Sequence, residues 1–135
     1  VTHRTAAIVV IAGGALMAIG SVLPWLTART GLGTVSVLGT EGDGVFTLIG
    51  GALIALLGLV RLERRPSPAG RFAIVALGLG GLAIGVLDIT ATNERLAALN
   101  PELVAGSIGA GLYVLLLGSV VSIFGASRMG TLGTD

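Results

Sequence analysis

Apolar residues fill four long stretches of the chain, and charged residues gather in the short segments between them. The stretches are Thr5–Trp25, Val45–Arg61, Phe72–Thr90 and Leu103–Ser127. A hydrocarbon core of ~30 Å takes ~20 helical residues at ~1.5 Å each, so each stretch predicts a membrane-spanning helix. The second is the shortest, but Gly44 can extend it at one end and the Arg61 stem can snorkel at the other. The pattern predicts an all-α membrane protein: one domain over residues 1–135, folded as a four-transmembrane-helix bundle. Arg4 gives the first run a basic flank, yet the run exceeds a signal-peptide core of roughly 7 to 15 residues, so it reads as a retained helix.

The connecting segments have patterns of their own. Over 26–44, Thr34-Val35-Ser36-Val37 alternates with period two, and Gly31-Leu32-Gly33 supplies glycine where a turn needs positive φ. A small β-hairpin follows, Leu26–Thr30 against Thr34–Leu38, with Gly39 to Gly44 returning the chain to the membrane. Segment 62–71 carries Arg64, Arg65 and Arg71 with Pro66 and Pro68, and reads as a topology signal rather than a lipid or partner dock. Segment 91–102 is expected to hold a short interfacial helix, Thr92–Leu99, capped by Thr92 and stopped by Asn100-Pro101.

Composition sharpens this. With 53% apolar residues, 11% charged residues and a mean hydropathy of +0.99, the chain lacks the polar surface of a soluble domain. It has no cysteine, which removes disulfides and thiolate metal sites, and a net charge of +1 gives no reason to expect nucleic acid. All eight basic residues are arginines. Arg4, Arg61, Arg64, Arg65, Arg71 and Arg128 fall at one end of the helices, whereas Arg29 and Arg95 fall at the other with Glu41, Asp43, Glu94 and Glu102. The positive-inside rule then predicts a multi-pass protein of the plasma (inner) membrane with both termini cytoplasmic and the hairpin outside.

Glycines recur seven residues apart in every helix: Gly13 and Gly20; Gly44, Gly51 and Gly58; Gly78 and Gly85; Gly111, Gly118 and Gly125. That spacing keeps one face toward a partner helix, and small residues there allow close backbone approach. At an offset of 67 residues, Gly44, Phe46, Leu48, Gly51, Gly58 and Arg61 match Gly111, Tyr113, Leu115, Gly118, Gly125 and Arg128. A duplicated two-helix hairpin, with an axis along the membrane normal, is one account of the match. Chance similarity between low-complexity apolar helices is the other.

Reactive chemistry is sparse. Asp88 is the one acid inside an apolar stretch; it can serve proton or substrate traffic, or, nearer the surface, act as a cap or a partner for Arg29 or Arg95. Trp25 after Pro24 reads as an interfacial anchor. His3 stands alone at a frayed N-terminus, and Ser21, Ser36, Ser107, Ser119 and Ser122 have no histidine base near them. The acids of Gly39–Gly44 do not follow a calcium-loop spacing. No catalytic residue, cofactor site or metal site is expected, and the protein does not read as an enzyme. The interface and structural candidates are Pro24, Trp25, Val35, Val37, Asp43 and Asp88, with Gly51, Gly58, Gly78, Gly85, Gly111, Gly118 and Gly125 from the seam.

Leu23-Pro24-Trp25 at the end of the first helix, Glu41-Gly42-Asp43-Gly44 leading into the second and Gly109-Ala110-Gly111-Leu112-Tyr113 leading into the fourth resemble the small four-helix membrane proteins common in actinobacteria. The layout is also similar to that of claudins, without their paired outer cysteines. The resemblance implies a non-catalytic accessory subunit on a larger integral membrane complex, in contact with lipids. Such proteins include the lipid-uptake coordinator subunit of mycobacterial Mce lipid importers and small subunits of respiratory supercomplexes. An oligomeric channel or transporter subunit using Asp88 is the reading from another class.

Overall fold

The computed structural model describes residues 2–64, 67–98 and 104–131. Its elements are α1 (His3–Val22), β1 (Pro24–Thr30), β2 (Gly33–Leu38), a 3-10 turn (Gly39–Glu41), α2 (Gly44–Glu63), α3 (Pro68–Ala97), β3 (Val104–Ile108) and α4 (Ala110–Thr131). All four helices are long and apolar enough to cross a membrane.

Their faces are sorted as a bilayer requires. Leu53, Leu56, Leu59, Leu79, Leu87, Leu117 and Phe124 point outward, while the inner faces hold glycine, serine and a few close-fitting apolar side chains such as Met17, Ile54, Ile74 and Leu115. In water this would be inverted, because burying leucine is what drives soluble folding. In lipid the drive is close packing, and small residues provide it. The arrangement suits four helices that cross a membrane.

Helix α1 lies at the centre, packed on α4 and on α2, and α3 closes against α4 with a looser contact to α2. Every glycine of the seven-residue series is buried. A Cβ placed on Gly118 would stand 2.5 Å from the Met17 amide nitrogen and 2.7 Å from the Gly13 carbonyl oxygen. On Gly111 it would meet the Gly20 carbonyl at 2.7 Å, and on Gly51 the Gly14 carbonyl at 2.7 Å. Gly125 and Gly58 receive Val10 and Ile11 of α1, and Gly78 and Gly85 receive Ile123 and Leu116 of α4. The matching glycines Gly51 of α2 and Gly118 of α4 both meet α1.

The sheet caps one end of the bundle in the order β2-β1-β3, antiparallel throughout. Among the described residues Gly33 alone has positive φ, at 131°, and Thr30 Oγ1 donates to its carbonyl at 3.1 Å to close the tip. The hairpin falls where the alternation predicts, with β1 starting two residues earlier, at Pro24. The third strand is a departure, since Val104–Ile108 had been assigned to the fourth helix. It pairs with β1 from Leu26↔Ile108 to Thr30↔Val104, and the Gly109 amide extends the ladder to the Trp25 carbonyl at 2.8 Å.

Helix α3 is the second departure. It runs 30 residues without a break, so the separate interfacial helix from Thr92 does not form, and Thr92 is buried in the continuing helix rather than capping a new one. Leu99, Asn100 and Pro101 lie outside the described residues. Its own start is capped by Ser67, whose hydroxyl accepts from the Gly70 amide at 3.1 Å, with Pro68 at the first position. Helices α2 and α3 also take up most of the predicted loop 62–71, whose residues Arg65 and Pro66 lie outside the described ones. His3 is not frayed, because its Nε2 reaches the Arg61 and Arg64 carbonyls and ties the start of α1 to the end of α2.

Candidate functional site

Beneath the sheet, where β1, the 3-10 turn and the ends of α2 and α3 converge, lies a half-open cleft of about 350 Å³. Its walls include Trp25, Val37, Glu41, Asp43, Asp88, Thr92 and Arg95. Three residues come from one stripe of α3, because 88, 92 and 95 follow the four- and three-residue steps of a helix face.

Trp25 is the floor. Although it had been expected at the lipid interface, it is only 7% exposed, with its indole N–H donating to the Gly20 carbonyl at 2.9 Å. Close fit explains this: a Cβ on Gly39 would stand 2.5 Å from the indole nitrogen, and one on Gly111 would stand 2.7 Å from Cδ1. Pro24, beside it, begins β1 opposite Leu38. Val37 reaches the cleft, while Val35 is 58% exposed on the edge strand.

Asp43 occupies the N-cap position of α2, yet its side chain makes no capping bond. It lines the cleft with Asp88 instead. Asp88 Oδ2 is buried and has no partner. Arg95 is the cation that acts on Asp88. Arg29, the other expected partner, lines a separate hollow with Thr27, Gly106 and Ser107. Nor is Asp88 a cap, for it lies within α3. Among the described residues no three His, Asp or Glu side chains gather as a metal group.

The buried serines are structural. Ser21 donates to the Met17 carbonyl and pairs with Thr47, Ser119 donates to Leu115, and Ser122 donates to Gly118. Each satisfies its hydroxyl against the preceding helical turn.

Arg95 is an expected partner of Asp88, whereas Glu41 and Thr92 are not expected at a site. For Thr92 and Arg95 the signal is the 88–92–95 spacing, which ending the third helix at Thr90 hides. No protein-family model and no curated protein matches this chain.

Proposed function

We propose that the protein is a non-catalytic accessory subunit that docks on a larger integral membrane complex through the open side of its sheet. The observation that carries this reading is β2. It is an edge strand whose six residues are all exposed, preceded by a tip at which Leu32 is fully exposed and including Val35 at 58%. Edge strands are normally blunted by charge, proline or cover, because a row of free N–H and C=O groups recruits another chain. This one presents valine and leucine, which suits strand addition or a seat in an apolar pocket of a partner.

The arginine distribution supports placing this surface outside the cytoplasmic membrane with both termini inside. The resemblance to accessory subunits of lipid importers favours a lipid transporter over a respiratory assembly as the partner. The transporter reading has less behind it, since Asp88 lines a cleft at one end of the bundle and the bundle interior is filled by close helix contacts.

A photo-crosslinking residue at position 32, used in membranes of the native host, tests the docking reading. Crosslinks to subunits of one membrane complex are expected, and they should disappear in a Val35→Lys, Val37→Lys variant that still folds. Recovery only of uncrosslinked monomer would refute it.

A further inference from the structure

A second hollow lies below the cleft on the α2–α3 side. One helical turn deeper, an apolar groove of about 170 Å³ opens between the same two helices, lined by Phe46, Thr47, Gly50, Leu77, Gly81 and Ile84. Thr47 lies four residues from Asp43, and Ile84 four from Asp88, so the charged pair stands directly above the groove along both helices. A Cβ on Gly50 would meet nothing within 4 Å, which shows open space beside a buried glycine.

Depth fits this division. From Pro68 to Asp88 the helix rises ~30 Å, and from Glu63 back to Asp43 a similar distance, which matches the thickness of the hydrocarbon core. With Glu63 and Pro68 at one face of the bilayer core, the carboxyls stand at headgroup level on the other face and the groove at acyl-chain level.

Charge defines the occupant. Glu41, Asp43 and Asp88 face the cleft with one cation, Arg95. Two carboxylates facing one cleft repel unless a proton or a cation lies between them. Asp88 Oδ2 is an unpartnered acceptor, and Thr92, 8% exposed, lines the same cleft. An ammonium brings three N–H donors to these oxygens, and Arg95 offers donors to a phosphate beside it.

We propose that the α2–α3 seam binds a phospholipid with a primary-ammonium headgroup, the ammonium between Asp43 and Asp88, the phosphate at Arg95 and one acyl chain in the groove. The proposal stands apart from partner docking, because it uses α2 and α3 rather than the β2 edge.

Native mass spectrometry of the full chain tests it, with the protein released from micelles holding equal amounts of phosphatidylethanolamine, phosphatidylcholine and phosphatidylglycerol of identical acyl chains. Phosphatidylethanolamine should be retained about tenfold or more over phosphatidylcholine, whose quaternary ammonium has no N–H to donate. The Asp43→Asn, Asp88→Asn variant should lose that preference. Gly50→Leu should lower its retention by filling the groove, and soluble phosphoethanolamine should compete poorly. Arg95→Gln changes an exposed side chain and does not depend on the bundle tolerating a core change; it should weaken retention by itself. Equal retention of the three lipids, a preference that survives loss of both aspartates, full competition by soluble phosphoethanolamine, or an unchanged Arg95→Gln protein would each overturn it.

Discussion

At the scale of single residues, glycines of this protein divide into two kinds that the sequence does not distinguish. Gly118 lies against α1 backbone, whereas Gly50 borders open space. Side chains are excluded at the first because the neighbours are main-chain atoms, which cannot swing aside. Gly118→Leu should therefore destabilise the bundle by about 1–3 kcal/mol or more, as overpacking does. Gly50→Ala should do the reverse, gaining roughly 0.5–1 kcal/mol from helix propensity with no clash. Thermal unfolding of both variants in one detergent checks the pair. A loss at Gly50 as large as that at Gly118 would mean that the α2–α3 groove is closed in solution. Trp25 belongs to the same scale: glycines at 39 and 111 shape its slot, and its one donor is spent on the Gly20 carbonyl near the end of α1.

Among elements, the sheet shows how a strand can hide inside an apolar run. Val104-Ala105-Gly106-Ser107-Ile108 joins directly to the fourth helix in hydropathy, and a run of that length cannot be assigned to strand or helix by periodicity. The physical signal was present in Gly106, Ser107 and Gly109, which weaken a helix there. Gly109 is required by contact, because an added Cβ would overlap the Pro24 carbonyl. Gly109→Ala should thus detach β3 from β1 while leaving β1–β2 paired. Hydrogen exchange should show lost protection at Gly109 and along the β1 edge that faces β3, with Gly33–Leu38 unchanged; uniform protection would show that the backbone shifts to absorb the methyl.

The four helices, the hairpin and the seven-residue glycine series follow from hydropathy, alternation and spacing, which are local. The uninterrupted course of α3 was obscured because Thr90, Thr92 and Asn93 imitate a helix boundary, although their side chains are compatible with a helix held in place by packing. The cleft needed that continuity: only an unbroken α3 aligns Asp88, Thr92 and Arg95. Its second wall, Asp43, comes from an element 45 residues away in sequence, a pairing that no local pattern encodes.

For the whole molecule, the sheet and the clasp of His3 on the α2 end lie at opposite ends of one bundle, and the charges separate with them. Arg4, Arg61, Arg64, Arg71 and Arg128 belong to the clasp end, against Arg29 and Arg95 at the sheet end. Because retained positive charge sets orientation, the sheet end should cross the membrane. The absence of native cysteine makes this directly measurable. A cysteine at Leu32 sits at the exposed hairpin tip, and one at Ala69 is exposed in the first turn of α3. In intact cells with a permeable outer layer, a membrane-impermeant maleimide should label Leu32→Cys and spare Ala69→Cys until the cells are lysed. The opposite pattern would invert the molecule and place both the β2 edge and the carboxyl cleft on the cytoplasmic side. That inversion would move the docking partner to the cytoplasm and the lipid seam to the inner leaflet, while leaving the chemistry of the seam unchanged.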